Sequence, residues 1–464
     1  MIVCLIKNYG QSNSNSNNTM KKKGIFIGLM LATVLLSGQQ IMAQKGIEDG
    51  SKYGHGEDSI QCLRNLSLYR EYVKQNDYVS AIPFWRKAFN QCPQSFKGIY
   101  LDGVRLFRDL IEKEKDPQIQ SKLVDTLMLI YDMRIKYFDQ FDEVRARQGI
   151  DLLRYKRDEL NEVQRAYGYL KESVDLAGDN SSEAAIATYI SASMSLYQNQ
   201  KLEAGDLIED FLTSSEIMSI KIANAPNDTM LSFLLDNIIK NFVQIPGISD
   251  EDLISSLEAL FNEKPNNPQI LRVIVTVMEI KRLSDNPLWM SAAKNLFSQY
   301  PTAELASKIA YISHTHDEAK DASNYFNQAI QLETDDDRKA ELYLGLAAST
   351  DNLGNKSLAR DYAQKAIELK PGWGKPYILI AELYASSRDL CQSLSLPNAI
   401  YWVAVDKLNE AKQIDPSAET EANSIILSLS PHFPNKEEAF FLNVMEGNTY
   451  YVGCWINENT RARF

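Results

Sequence analysis

The chain is poor in helix-breaking residues, with 21 glycines and 15 prolines among 464 residues. Soluble proteins average roughly 7% glycine and 5% proline, so this shortage disfavours a turn-rich β-sandwich or β-barrel and favours long helices. Basic residues are also scarce, with 49 Lys and Arg against 61 Asp and Glu. Without clustered Lys and Arg the chain has no electrostatic footprint for nucleic acid. The 4 histidines leave little room for histidine-based catalysis.

The first 43 residues have the layout of a secretory signal peptide. Three lysines, 21–23, precede a 12-residue apolar run at 25–36, and a small residue ends the sequence 41–43 where a signal peptidase would cut. We predict a start at Met20 and cleavage after Ala43. Cleavage removes four lysines and no acid, which takes the formal charge from −12 to about −16.

Two alternatives to cleavage stay open. An uncleaved membrane anchor would need about 20 apolar residues, whereas Gln39 and Gln40 end this run earlier. A lipid anchor would need a cysteine just after the run, and the next cysteine is Cys62. We therefore expect no transmembrane span in the mature chain.

Hydrophobic residues make up 44% of the chain, enough for a packed core, and they recur with a helical pattern. From Ala81, small or apolar residues follow at offsets 4 and 7 on one helical face, and a proline at offset 12 ends the helix. The pattern returns at Ala359 and Ala404, each time after another helix with its own apolar stripe. These segments predict helix-turn-helix repeat units. Weaker units begin near Ala204, Leu253, Trp289 and Ala322.

These helix pairs resemble the tetratricopeptide repeat (TPR) family, in which a unit of about 34 residues ends its second helix with a proline. The resemblance implies an all-α fold, a right-handed α-solenoid of TPR-like helix pairs. The signal peptide, the first pair from Cys62 to Pro93 and the ending 453–458 together resemble exported TPR proteins of the Bacteroidetes type. That likeness implies a cell-envelope protein and no established chemistry.

Two stretches depart from the repeat. Residues 386–397 form an inserted polar loop, which is either functional or a tolerated surface insertion. Between Pro93 and Ala204 the repeat is irregular, and the predicted helices are Tyr100 to Glu114, Gln118 to Phe138 and Asp142 to Asp175, the last longer than a TPR helix.

The C-terminal end changes character. Residues 449–456 are rich in β-branched and aromatic side chains and predict a strand, and 457–459 can turn the chain back into 460–464. A two-stranded ribbon is marginal alone, so we expect a short C-terminal β-hairpin cap on the last helix pair. Its alternative role is to dock a partner strand on its free edge.

The predicted organisation has five parts. They are 1–43 as upstream residues and cleaved signal peptide, 44–59 as a flexible mature N-terminus, 60–223 as N-terminal TPR-like repeats, 224–430 as C-terminal repeats with the loop 386–397, and 431–464 as the cap. The break between the two halves is predicted at 224–228.

Four cysteines remain after cleavage, and an even number in an exported protein favours disulfides, with three possible connectivities. Cys62 starts the first helix of its pair and Cys92 ends the second, and antiparallel packing brings these ends together. Cys391 and Cys454 would then pair and tie the cap to the last repeats. Four separate buried thiols are the alternative.

No motif for catalysis stands out. His314 and His316 belong to the only cluster with metal-ligand character, but histidines two apart at a helix end point in different directions, and no Cys-x-x-Cys zinc spacing occurs. Residues 354–357 lack the earlier glycine and the strand of a phosphate-binding loop, so they are interpreted as a turn. We expect no metal, no cofactor and no enzymatic activity. An envelope hydrolase would need a convergent acid and base that the sequence does not show.

The resemblance implies a groove lined by first-helix residues, of the kind that binds peptides or proteins. Leu66, Leu344 and Ile378 stand where carboxylate-clamping members of the family have Lys or Asn, so an apolar or extended partner is expected. The implied groove positions are Leu66, Arg70, Val73, Lys74, Leu344, Ala348, Asp351, Ile378, Glu382 and Ser386.

The sequence therefore predicts a non-enzymatic interaction scaffold in the periplasm or at the outer membrane of a Gram-negative bacterium. Its partners would be envelope proteins or peptides, not nucleic acid. The alternative is a glycan- or peptide-binding accessory subunit of an outer-membrane system, with Trp373, Trp402 or Trp455 stacking on the ligand. Core packing is the other interpretation of each tryptophan.

Overall fold

The computed structural model of the chain describes residues 52–464. The predicted signal peptide and its cleavage site lie outside these residues. The described part contains twenty α-helices and one two-stranded sheet. It divides into two compact units, with the boundary between Asp252 and Leu253.

The first unit is a succession of helices that pack on their neighbours in chain order. Asp116 and Ser182 accept hydrogen bonds from first-turn amides and so fix the start of the fourth and seventh helices. The helices are α1 (Gly56–Lys74), α2 (Tyr78–Gln91), α3 (Gly98–Lys113), α4 (Pro117–Phe138), α5 (Phe141–Lys156), α6 (Leu160–Ala177), α7 (Glu183–Gln198), α8 (Ala204–Asn224) and α9 (Thr229–Val243).

The single long helix predicted from Asp142 to Asp175 is wrong. The chain turns at 157–159, and α5 and α6 fold back on each other. Gly149 permits the close approach, because a Cβ at this position would lie 2.5 Å from Cγ of Leu170. The turn contains no glycine or proline, so the sequence pattern predicts one continuous helix across it.

The predicted break at 224–228 is a turn between α8 and α9, where the Asp228 side chain accepts a hydrogen bond from the amide of Met230 at 3.0 Å. The boundary between the compact units comes later in the chain, inside a helix that starts at Asp250.

The second unit continues the helix pairs and ends in the hairpin. Asn267 and Asn286 cap helices that have proline in their first turn. The elements are α10 (Asp250–Glu263), α11 (Pro268–Ile280), α12 (Pro287–Gln299), α13 (Ala303–Thr315), α14 (Ala319–Leu332), α15 (Asp336–Asn352), α16 (Lys356–Leu369), α17 (Lys375–Ala385), α18 (Ile400–Ile414), α19 (Glu419–Leu429), α20 (Lys436–Phe441), β1 (Thr449–Val452) and β2 (Glu458–Arg461).

The small residues of the repeat pattern are buried between paired helices. Ala359, Ala363 and Ala366 of α16 have no exposed surface, and neither do Ala404 and Ala411 of α18. Because the turns are short, adjacent helices run antiparallel and approach closely at these alanines. The predicted all-α fold of TPR-like helix pairs with a short C-terminal hairpin is confirmed.

The hairpin turns earlier than predicted. β1 and β2 are antiparallel, and Val452 pairs with Glu458, so the turn is 453–457. Cys454 has φ 61°, outside the extended region, and its sulfur is bonded to Cys391. The strand predicted to run to Ile456 therefore ends at Val452, and the disulfide to the inserted loop lies in the turn that follows it.

The hairpin packs on α18, as a cap does. Thr460 Oγ1 donates a hydrogen bond to Asp406 Oδ2 at 2.6 Å, and Arg463 donates to the carbonyl oxygen of Trp402 at 3.0 Å. From the other side, Arg360 of α16 donates to the carbonyl oxygens of Trp455 and Ile456. Two helices therefore hold the last sixteen or so residues by several specific contacts.

Candidate functional site

Two groove positions of the second unit, Asp351 and Ser386, contact the same lysine. Asp351 lies in the last turn of α15, and Ser386 directly follows α17. Lys356 Nζ lies 2.7 Å from Asp351 Oδ1 and donates to Ser386 Oγ at 2.8 Å. This bridge holds two of the predicted groove residues in fixed positions on neighbouring first helices.

Glu382 lies near enough to two other carboxylates, those of Asp351 and Glu421, for their charges to act on it. The pKa of Glu382 is raised, first by partial burial and then by the negative charges of Glu421 and Asp351. Glu382 nevertheless keeps an exposed side chain in the free molecule. We call Asp351, Lys356, Glu382, Ser386 and Glu421 the acidic groove. Its three carboxylates outnumber the single lysine.

The apolar groove positions face the core instead. Leu66, Val73 and Ile378 are all buried, and Leu344 is half-buried. They were the reason to expect an apolar partner, and their burial removes that reason. Ala348 is half-buried as well.

The first helix pair offers two basic groove residues to solvent. The Arg70 guanidinium lies over the Phe96 ring at 5.0 Å from its centre, and Lys74 forms an ion pair with Glu71 at 2.7 Å. Arg70 and Lys74 belong to the first compact unit, whereas the acidic groove belongs to the second.

Sequence reasoning missed Lys356 and Glu421. Lys356 was assigned to a turn, although its place at the first residue of α16 puts it next to the end of the preceding helix. Glu421 lies in α19, beyond the last recognised repeat. The helix that follows the last helix pair ending in proline could have indicated a further element lining the groove.

Both proposed cysteine pairs are bonded in the structure. Cys62 is joined to Cys92, with Cα atoms 6.1 Å apart, and Cys391 is joined to Cys454, with Cα atoms 5.8 Å apart. The first bond clamps α1 to the end of α2. The second ties the inserted loop to the hairpin.

Two of the three tryptophans proposed to stack on a ligand, Trp402 and Trp455, make contacts within the fold. Trp402 is fully buried, with the rings of Tyr450 and Phe464 at right angles to it. Trp455 is half-buried, covered by the Arg360 guanidinium at 5.3 Å, and donates to Ser387 Oγ. Stacking of Trp402 on a glycan is therefore wrong, because its ring is part of the core.

The two histidines have separate partners. His314 Nδ1 lies 3.0 Å from Ser349 Oγ, and His316 Nε2 lies 3.7 Å from Asp285. Within residues 52–464, no group of three or more His, Cys, Asp or Glu side chains could hold a metal ion. No α-helix in the same range combines the length and hydropathy that a membrane crossing requires.

The part of the chain at 52–464 also has depressions whose lining contains none of the acidic-groove residues. One, of about 480 Å³, is bordered by the loop before α8 and includes Tyr197, Gln198 and Glu203. Another, of about 580 Å³, lies along α18 and has only polar or charged lining, including Asp406 and Arg463. Cofactor pockets are mostly apolar with a few convergent polar groups, and the second depression lacks that character.

No family model matches the chain, and no curated protein sequence matches it. Similar solved structures include the Cut9–Hcn1 hetero-tetramer of the APC/C, with 12% identity, a TM-score of 0.35, and coverage of 79% of this chain and 96% of that chain. A tetratricopeptide repeat protein from Parabacteroides merdae has 12% identity, a TM-score of 0.27, and coverage of 62% and 99%. MamA has 21% identity, a TM-score of 0.28, and coverage of 35% and 81%. With TM-scores this low the chains do not superpose over their length.

Proposed function

We propose that this chain is a non-enzymatic protein–protein interaction scaffold of the bacterial cell envelope. The observation that supports this function best is the acidic groove, where Asp351, Glu382 and Ser386 stay outside the core on successive first helices and Lys356 holds two of them in place. Rigid, pre-positioned polar groups lower the cost of binding an extended segment.

The partner we propose is a protein or peptide segment that brings Lys or Arg to the acidic groove. The raised pKa of Glu382 reflects a carboxylate destabilised by burial and by like charge. A cation from the partner would stabilise its charged form, so electrostatic complementarity favours a basic segment over an apolar or acidic one.

The compartment we propose is the periplasm or the outer membrane. Two disulfides support it, because such bonds persist in oxidising compartments and are rare in the reducing cytosol. The signal-peptide layout of residues 1–43 supports the same location.

Crosslinking in intact cells followed by mass spectrometry tests the function. We expect crosslinks from the acidic groove to a defined envelope protein, and we expect Glu382→Arg to abolish them. Glu368→Arg is the matched control, because Glu368 is an exposed glutamate on the second helix α16. Crosslinks to this chain alone, or equal loss with both variants, would contradict the scaffold.

A further inference from the structure

The segment between α19 and the hairpin exposes four large apolar side chains that are close in sequence, and the ring centroids of Phe440 and Phe441 lie 6.3 Å apart. Phe440 is 69% exposed, Phe441 84%, Leu442 42% and Met445 64%. We call these four residues the apolar ridge. Scattered single apolar residues are normal on a protein surface, but contiguous ones indicate an interaction site. Each phenylalanine can bury about 150–250 Å² in an interface.

The backbone beneath the apolar ridge is fixed. The Asn435 side chain accepts a hydrogen bond from the amide of Glu438 at 2.7 Å, and Ala439 is fully buried. The amide of Val444 donates to the carbonyl of Ala439 at 2.9 Å, and the amide of Gly447 donates to the carbonyl of Ala462 at 2.9 Å. The exposed rings are thus presented on a defined scaffold, which lowers the entropy lost on binding.

Acidic side chains border the apolar ridge. Lys436 is paired with Glu446 at 3.3 Å, so its charge is compensated. Glu437 and Glu438 are exposed and form no ion pair within the described part of the chain. Residues 436–446 contain one lysine and three glutamates, so this segment carries net negative charge.

The border decides which occupant fits. A second copy of this chain would bring Glu437 and Glu438 close to their own counterparts across a twofold axis, and an anionic lipid surface would meet the same repulsion. In a partner segment with cations beside its apolar face, the cations would be attracted by the glutamates at the rim. Its apolar side chains would be desolvated at the centre of the interface.

We propose that the apolar ridge docks an amphipathic helix of a partner protein, whose apolar face is flanked by Lys or Arg. This surface is separate from the acidic groove in sequence and in chemistry. It therefore gives the scaffold a second binding surface that recognises apolar side chains.

Fluorescence anisotropy with two designed peptides tests this. The first probe is an amphipathic helical peptide of Leu and Lys, and the second has Glu in place of each Lys. We expect the purified full chain to bind the Lys peptide at least about tenfold more tightly than the Glu peptide, a difference of roughly 1.4 kcal/mol. Phe440→Ser combined with Phe441→Ser should weaken the Lys peptide by at least about tenfold.

Three further variants distinguish binding at the apolar ridge from binding elsewhere on the chain. Tyr451→Ser removes an exposed aromatic residue of β1 outside the apolar ridge and should leave binding unchanged. Both peptides are also titrated against Glu382→Arg, because the acidic groove would attract the Lys peptide as well. The loss caused by Phe440→Ser with Phe441→Ser should persist in this background, so failure at the apolar ridge is distinct from failure of the groove. Glu437→Lys with Glu438→Lys should reverse the preference between the peptides. Circular dichroism confirms that each variant is folded.

Several results would overturn the proposal. The first is Lys-peptide binding that is absent, or that survives loss of both phenylalanines in the Glu382→Arg chain. The second is a dimer in sedimentation velocity that Phe440→Ser with Phe441→Ser dissociates, which would make a second copy the occupant. The third is cosedimentation with phosphatidylethanolamine–phosphatidylglycerol vesicles that the same variant abolishes, which would make a membrane surface the occupant.

Discussion

At the scale of single residues, helix pairs close tightly where a glycine faces an aromatic ring. Gly345 of α15 has no room for a methyl group, because a Cβ there would lie 2.5 Å from the buried Phe326 ring. Gly168 of α6 is helical and exposed, and a Cβ there would meet nothing within 4 Å. Two glycines in helices thus have opposite packing requirements.

We expect Gly345→Ala and Gly168→Ala to change stability in opposite directions. Overpacking against Phe326 should cost about 1–3 kcal/mol, which exceeds the helix-propensity gain. In Gly168→Ala only the propensity acts, and it should stabilise by about 0.5–1 kcal/mol. Urea unfolding measures both. A stabilised Gly345→Ala chain would show that α14 and α15 are less tightly packed than described.

Buried tyrosines make a second prediction at this scale, on alkaline pH. Burial, and next the Asp210 carboxylate that accepts its hydroxyl hydrogen bond, raise the pKa of Tyr189 well above its usual value. The stabilising contribution of the neutral phenol is therefore fully present at pH values below about 10, the pKa of tyrosine in the unfolded chain. This contribution is lost as the pH rises above that value, because the unfolded chain then releases a proton that the folded chain retains.

We expect the unfolding free energy to fall by about 1.4 kcal/mol per pH unit for each such tyrosine above about pH 10. Tyr189→Phe should reduce that slope by one tyrosine's share, although it also lowers stability at neutral pH. Tyr451→Phe is the control, because this side chain is largely solvated in the folded chain. Urea midpoints from about pH 9 to about pH 11 measure the slope. Equal slopes in wild type and Tyr189→Phe would contradict the prediction.

At the scale of elements, the hairpin is held both covalently and by hydrogen bonds. The disulfide between Cys391 and Cys454 links it to the inserted loop. Arg360 of α16 donates to a carbonyl oxygen in the hairpin turn, and Arg463 after β2 donates to a carbonyl oxygen of α18. In a chain-entropy model each disulfide contributes about 2–4 kcal/mol. Loss of this bond should therefore fray the hairpin while the hydrogen bonds keep α18 folded.

Limited proteolysis of paired serine variants tests that division. Cys391→Ser with Cys454→Ser should increase cleavage in the inserted loop 386–397 and in the hairpin several-fold. Cys62→Ser with Cys92→Ser is the matched control and should leave cleavage there unchanged, because that bond clamps α1 to α2. Non-reducing mass mapping comes first, and any linkage of Cys62 other than to Cys92 would invalidate the design.

At the scale of the whole molecule, the sequence predicted what depends on local spacing. The positions of Ala359 and Ala404 predicted helix pairs because one helical face must be small where helices cross. The sequence did not predict the turn at 157–159, because these residues include no glycine or proline and α6 folds back where it packs against Gly149 of α5. Groove exposure also failed for Leu66 and Ile378, because which side of a stripe meets solvent depends on the neighbouring pair.

The sequence also did not predict the hydrogen-bond networks between residues that are far apart in the chain. Asp210 of α8 is buried and accepts hydrogen bonds from Tyr167 of α6, Tyr189 and Ser193 of α7. Tyr167 lies 43 positions before Asp210. A period of about 34 residues does not predict which polar residues will meet across three helices.

The Asp210 network also decides how a disturbance should spread. Helices pack mainly on their neighbours in chain order, so stability should be a sum of local terms and neighbour interfaces. Asp210→Asn replaces an acceptor of three hydroxyl hydrogen bonds by an amide with one acceptor oxygen. We expect faster amide hydrogen exchange in α6, α7 and α8, and unchanged exchange in α15 to α18.

Hydrogen exchange with mass spectrometry measures this, and Glu209→Gln is the matched control. Glu209 is the exposed neighbour of Asp210 in α8, so the same loss of charge there breaks no buried hydrogen bond. Hydrogen bonds to a charged group contribute about 1.5–3 kcal/mol each, which corresponds to at least about tenfold faster exchange through local opening. Acceleration that reached α15 to α18 would mean that the helices unfold as one cooperative block. Acceleration confined to α6 to α8 would mean that each stretch of the chain is stabilised by its own neighbours, as the packing in chain order requires.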